Sequence, residues 1–508
     1  MKHSSRRDFL RSLTAASGLG AAAPWALNLM AMGAASAQTA GDYRALVCVF
    51  LKGGNDAYNT VLATDTASWT AYARMRDPKV TDPKAATLPL ALSQAALLSV
   101  GHKNTAGMNT GRTFALHPNL QKVRSLYSSG RAAILANVGP LLVPTSKSQY
   151  FAQSVPRPAK LFSHNDQQSA WQAFGSEGVT AGWGGKLVDA LSSANSNAMF
   201  ASISVAESAV WLSGKKTLQF QLGTDGVHQL AGSAGTVYQS AGVYSAMKTI
   251  LGANYRGDML GADLAKVGLR AQQAEATLLS VVPAMDNAAW GTPGVTNQTQ
   301  DPKLMCVLPS SGVATFNPLA AELQMVARMI AARTSLGARR QVFFVELDGF
   351  DTHIDQLRRH GDLMAQLDHA LGFFDGALTA MPGGDMRSQV TTFTASDFGR
   401  TFTNNSGGSD HGWGGHHFVI GGAVAGGDVY GRFPTYSAAD ASGAYSSAQQ
   451  VGNGVLLPEV SVDQYAYTLG RWFGAADSDL VGASGSAGIL ANIGNFDASV
   501  RNLKFMLA

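Results

Sequence analysis

The chain has 508 residues, 14% of them charged, a formal net charge of +4 and two cysteines. That length allows two or three cores, and the charge is too small for the basic field of a nucleic-acid binder. Cys48 and Cys306 each sit in an apolar run, which excludes a disulfide framework and leaves room for one bridge at most.

At the N-terminus, Ser5-Arg6-Arg7-Asp8-Phe9-Leu10 matches the twin-arginine export pattern. A weakly apolar stretch from Leu13 to Met32 follows, and Ala35-Ser36-Ala37 offers small residues for cleavage before Gln38. The stretch holds Ser, Asn, Pro and several Gly and is a poor spanning helix. Residues 1–37 are therefore expected to be a twin-arginine signal peptide, with the export machinery as its partner. The mature protein is then periplasmic or secreted, with no stable membrane span after cleavage. Cleavage removes four basic residues and one acidic residue, which lowers the net charge from +4 to +1.

Four short apolar runs without alternation read as strands buried on both faces. They are Ala45 to Leu51 before Lys52-Gly53-Gly54-Asn55-Asp56, and Ala132 to Val138 before Gly139-Pro140. The others are Val342 to Leu347 before Asp348-Gly349-Phe350-Asp351-Thr352-His353, and Val390 to Thr394 before Ala395-Ser396-Asp397. Residues 179–318, richer in Ser, Ala, Gly, Asn and Gln, read as a helical insertion or cap, with an exposed loop at Asn297 to Pro302. After His353, the residues Ile354, Leu357, Met364, Leu367, Leu371 and Phe374 recur at helical spacing. His360 falls on that apolar face, as a core histidine or a ligand, and His369 falls nearly opposite, toward solvent.

Strands alternating with helices predict an α/β fold with a mainly parallel central sheet flanked by helices, residues 38–508 forming one domain with the cap. Such sheets bind ligands beyond the carboxyl ends of their strands. Asp56, Asp351, His353 and Asp397 all follow a predicted strand.

Six of the eleven histidines lie between His353 and His417. The loop Ser409-Asp410-His411-Gly412-Trp413-Gly414-Gly415-His416-His417 adds imidazoles and carboxylates, the donors that zinc, manganese and iron prefer. The plain alternative is that glycine-rich turns favour Asp and His for their backbone geometry. Adjacent strand residues face opposite sides, so His416 and His417 are not expected to share one ion. The candidate metal ligands are Asp56, Asp351, His353, Asp397, Asp410, His411 and His416. Gly53-Gly54-Asn55-Asp56 lacks the spaced glycines of a dinucleotide fingerprint, which argues against an oxidoreductase.

Together the twin-arginine leader, Val49-Phe50-Leu51-Lys52-Gly53-Gly54-Asn55-Asp56, Leu116-His117-Pro118, Gly349 to His353, Thr394 to Arg400 and Asp410 to His417 make a specific combination. It resembles the family called domain of unknown function 1501. The resemblance implies an alkaline-phosphatase-like fold, shared with sulfatases, metal-dependent phosphoglycerate mutases and phosphodiesterases. It also implies one or two divalent ions (zinc, manganese, calcium or magnesium) and an activated hydroxyl at a helix start. By this resemblance Asp56 is the first-strand metal ligand, Asp351 and His353 the later acidic and imidazole ligands, and Asp397 the acid of the Ser-Asp-His turn. Two departures stand out: Phe398 replaces that turn's His, and only Thr352 separates Asp351 from His353.

The candidate nucleophile is Ser163 in Leu161-Phe162-Ser163-His164-Asn165-Asp166, which reads equally as a helix N-cap. Thr145 is second. Arg400 is a clamp for a nonbridging oxygen or a structural ion-pair partner. The expected activity is an exported metal-dependent hydrolase of small-molecule or glycan phosphate or sulfate esters. The alternative is a catalytically degenerate, metal-stabilised binding or assembly protein of the cell envelope.

Overall fold

A computed structural model describes residues 43–103, 107–226, 236–253, 255, 258–483 and 487–507. The expected leader at 1–37 lies outside them. The central sheet is built from β1 (Arg44–Lys52), β2 (Ala132–Gly139), β3 (Ser202–Ser204), β4 (Phe220–Gln221), β5 (Arg340–Asp348), β6 (Val390–Ser396), β7 (Gly415–Ile420), β8 (Val429–Tyr430) and β9 (Val460–Ser461). Their order is β8-β2-β7-β6-β1-β5-β3-β4, with β9 also on β2. All pairings are parallel except those of β7, which runs antiparallel to β6 and β2. The cause is the loop 397–414, which leaves the carboxyl end of β6 and re-enters the sheet from that same end.

The helices used below are α1 (Thr66–Arg76), α2 (His164–Ala173), α3 (Trp183–Ala190), α4 (Ala241–Leu251), α5 (Met259–Val281), α6 (Pro318–Ala331), α7 (Gln356–Thr379) and α8 (Val462–Phe473). In β1, Ala45, Val47, Val49 and Leu51 pack into one core with α6 and α7. Leu46, Cys48 and Phe50 enter a second core with α3 and α8. Helices on both faces explain why these strands show no polar alternation.

The structure narrows the expected cap at 179–318. Its first part supplies β3 and β4 to the central sheet, and α3 packs beneath it. Ser202-Ile203-Ser204 is three residues long and two of them are serine, so it carries no apolar-run signal. The long helices of this stretch are α4 and α5. The loop expected to be exposed at 297–302 is partly tucked in, because Gln298 donates to Gln324 at 2.7 Å and the buried Asp301 accepts from Thr292 N at 3.0 Å. Ile354 is exposed because α7 starts two residues later. His360 is buried with Nε2 3.0 Å from Asn55 Oδ1. His369 is half-buried, not solvated, with Nδ1 3.1 Å from Asn317 Nδ2. Cys48 and Cys306 are buried and unbridged. Among the described residues, no helix is long and apolar enough to cross a membrane.

Candidate metal centre

Leu51 stands opposite Leu347 on one side and Ser396 on the other, so β5, β1 and β6 end at one rim. The turn after β1 lets the neighbouring loops close over it. Gly53 has φ +109° and Gly54 φ +89°, and an added Cβ would lie 2.4 Å from Asp351 N and 2.3 Å from the Phe398 ring, respectively. Only glycine tolerates both the backbone angle and the approach.

Four side chains meet over this rim. Asp351 Oδ2 is 3.6 Å from His164 Nε2, and Asp351 Oδ1 is 3.0 Å from His353 Nε2 and 3.3 Å from His411 Nε2. The two Nε2 atoms of His353 and His411 are 3.0 Å apart. Donor atoms of His164, Asp351 and His411 all lie within 4.8 Å of one another, a group that could hold a metal ion.

The far nitrogen of each ring decides what the near one offers. His164 Nδ1 is 2.6 Å from Asp397 Oδ2, and His411 Nδ1 is 2.7 Å from the Phe162 carbonyl. A carboxylate and a carbonyl only accept, so both Nδ1 atoms are placed to donate, and a neutral ring that does so keeps its Nε2 lone pair for a cation. His353 Nδ1 lies 3.3 Å from Asp410 Oδ1 in the same sense. This is the carboxylate–imidazole arrangement that orients metal ligands. Ligands 2.0–2.1 Å from one tetrahedral zinc stand about 3.3 Å apart; Asp351 lies 3.0 to 3.6 Å from the three Nε2 atoms, and His353 stands outside the group of three whose donors all lie within 4.8 Å of one another. Three carboxylates (Asp351, Asp397, Asp410) against one guanidinium (Arg400) leave two negative charges to meet a divalent cation. The residues present therefore fit such an ion.

The surroundings fix this geometry. The buried Asp397 also accepts from Gly53 N at 3.1 Å and Gln168 Nε2 at 3.0 Å. Hydrogen bonding to Asp397 raises the pKa of His164, whereas burial lowers that of His411. Burial pushes the Asp351 carboxyl up, but Arg400 outweighs it and holds the group below the usual range. Phe398 rests with its ring 4.8 Å from that of His164 and 4.6 Å from that of His411. It walls one side of the site. Phe162 has φ +75°, an angle rarely adopted by an aromatic residue, and its carbonyl is the one that holds His411.

Several sequence candidates stand elsewhere. Asp56 reaches the rim but is fully buried, gripped by Arg76 at 2.6 and 2.9 Å and by Gln356 at 2.5 Å, and it caps the turn at Tyr58 N. His416 stacks on Phe433 at 4.4 Å within one core, and its Nδ1 accepts from Asn137 N at 3.1 Å. His417 points to the other core, edge-on to Trp171. Burial lowers both rings to about 3. Asp397 and Asp410 serve as partners of the imidazoles rather than members of the donor group. Arg400 is buried and bonded to Asp351 Oδ1 at 2.8 Å, to Gly53 O at 3.3 Å and to the Ser409 carbonyl, so it fills the structural ion-pair role. The Ser163 hydroxyl donates to Asp166 Oδ2 at 2.9 Å, and that of Thr145 to Val143 O at 2.9 Å.

His164 was not among the expected ligands. It lies 187 residues before Asp351 in the chain with no histidine beside it. Its one signal is its place directly after Ser163 at the start of α2.

A sequence profile described as a protein of unknown function, DUF1501, matches residues 43–482. The chain belongs to that family. No curated protein matches the chain. The match spans β1 to β9 and so includes every residue of the DUF1501 rim described above.

Proposed function

We propose that this DUF1501 protein is an exported, metal-dependent hydrolase of phosphate or sulfate esters, built on an alkaline-phosphatase-like plan. The observation that carries the reading is the convergence of the His164, His353 and His411 Nε2 atoms on the Asp351 carboxylate, with two of the rings anchored through Nδ1. Imidazole donors beside one carboxylate favour zinc over manganese, calcium or magnesium. Bound there, a divalent ion supplies Lewis acidity toward an ester's nonbridging oxygens.

The chain's own groups supply the remaining chemistry. Asp397 and the Phe162 carbonyl keep the rings in one tautomer. His164, His353 and Asp351 are partly exposed, so an ester can reach them. Ser163 directly precedes His164, and Asp166 is placed to take its proton as the oxygen attacks phosphorus or sulfur; the bond to the ester oxygen breaks, the leaving alkoxide takes a proton from water, and a second water then cleaves the ester formed on Ser163. Arg6-Arg7 and the small residues before Gln38 support export and cleavage of the leader.

One observation favours a second reading, a metal-stabilised binding or assembly protein of the cell envelope. Both candidate hydroxyls, Ser163 and Thr145, are engaged in short-range hydrogen bonds. The test is elemental analysis of the exported protein, wild type against His164→Ala and His411→Ala, followed by assay of aryl phosphates and aryl sulfates with wild type and Ser163→Ala. Stoichiometric metal lost in both histidine variants, with turnover lost in Ser163→Ala, supports the hydrolase. Metal without turnover moves the conclusion to the binding protein, and a folded wild type free of metal overturns both.

A further inference from the structure

We infer that α5 is a docking surface for a second copy of this chain. The residues Leu260, Leu264, Val267, Ala271, Ala274 and Leu278 follow one another at spacings of four and three, the seam of a helix that packs along another helix. The seam divides in two. Ala274 and Leu278 are buried in the protein's own core, whereas Leu260, Leu264 and Val267 are 85, 69 and 65% exposed. A soluble helix seldom leaves such a stripe to water without a partner.

The neighbouring helix does not cover it. An added Cβ on Gly268 would lie 2.5 Å from Leu251, so α4 packs against that flank of α5. On α4 itself, Val243 and Ile250 lie seven residues apart and are exposed.

The opposite flank is marked by charge. Asp263 and Arg270 lie seven residues apart, hence on one side of the seam. Arg270 has no ion-pair partner among the described residues, and Asp263 has only the exposed pair with Lys266 at 3.2 Å. When a second α5 is laid antiparallel on the first, with the two-fold axis between residues 264 and 267, Leu264 meets Val267 of the second copy and Leu260 meets its Ala271. The same operation sets Asp263 against Arg270 of the second copy, twice by symmetry. The face is thus complementary to itself in both apolar layers and charge, as a two-fold interface requires. Mixed charge on the flank, rather than a run of lysine and arginine, speaks against a lipid surface as the occupant.

The proposal is independent of the hydrolase reading, and its test needs no substrate. Sedimentation velocity of the full mature protein is expected to show a dimer whose Leu264→Glu variant is monomeric, with the dissociation constant raised at least about a hundredfold. Asp263→Arg should weaken the dimer about tenfold, and Arg270→Asp added to it should restore most of the loss. Leu264→Cys with Val267→Cys should form an intermolecular disulfide on mild oxidation, because the native Cys48 and Cys306 are buried. A wild type that stays monomeric at high micromolar concentration overturns the inference. So does a dimer that survives Leu264→Glu, or monomer binding to anionic vesicles through this face.

Discussion

Asp56→Ala separates a structural from a metal-binding role for the residue that follows β1. The Asp56 and Arg76 side chains are fully buried and joined by two bonds of 2.6 and 2.9 Å. Arg76 is also enclosed by the Tyr58 and Phe402 rings, at 5.1 and 5.8 Å, and gives another proton to Thr401 O at 2.8 Å. Deleting the carboxylate leaves that guanidinium charged in a dry pocket, and removing one partner of a buried pair costs about 3–5 kcal/mol. Loss of the Gln356 and Tyr58 N bonds adds about 1 kcal/mol each. The double variant Asp56→Leu with Arg76→Met removes both charges and should recover much of the loss. Urea denaturation monitored by circular dichroism measures the midpoints, and elemental analysis measures metal in the folded fraction. The expected result is a large fall in midpoint for the single variant, partial recovery in the double variant, and metal content unchanged. A variant as stable as wild type that has lost its metal refutes the argument and restores Asp56 as a ligand.

Three further outcomes follow from the same geometry. Asp397→Asn should keep the fold but weaken metal binding about 10–100-fold, because an amide no longer fixes the His164 tautomer; competition with a chelator reads the change. Gly54→Ala forces a side chain into a left-handed backbone against Phe398, so it should cost about 1–3 kcal/mol in thermal stability and reduce metal content by shifting the ring that walls the site. Asp463 is buried at the start of α8, bonded to Asn492 N at 2.8 Å, and burial raises its carboxyl to about 6. With a folded value above that of the unfolded chain, its favourable contribution is complete below about pH 4 and is lost as pH rises through 6, amounting to about 3 kcal/mol. Asp463→Asn should therefore flatten the dependence of melting temperature on pH between 4 and 7, and an unaltered profile would refute the assignment.

The strands were legible because their cause is simple. A strand covered by helices on both sides must be apolar throughout, and Ala45 to Leu51, Ala132 to Val138, Val342 to Leu347 and Val390 to Thr394 all lie within strands of the sheet. The rim was legible too, since parallel neighbours in register bring the ends of β5, β1 and β6 together. Direction within the sheet was harder to read: β7 runs antiparallel because its loop turns back at the rim, and a local sequence carries no mark of that return. Side-chain aim was harder still. Asp56, Asp351 and Asp397 follow three strands at one edge, yet their aims differ, because Arg76 at the end of α1 captures the first and His164 engages the third. Both partners are remote in sequence, so position after a strand specifies the neighbourhood of a carboxylate but not its bond. The same reasoning explains why His164 escaped notice. Histidines crowded between 353 and 417 draw attention by number, whereas one imidazole at the mouth of α2 gains its meaning only when the fold sets it against Asp351 and Asp397. A helix start that opens on a strand rim is therefore the place to look for the missing donor of a site whose other ligands are clustered, since its first residues point at the rim whatever their distance along the chain.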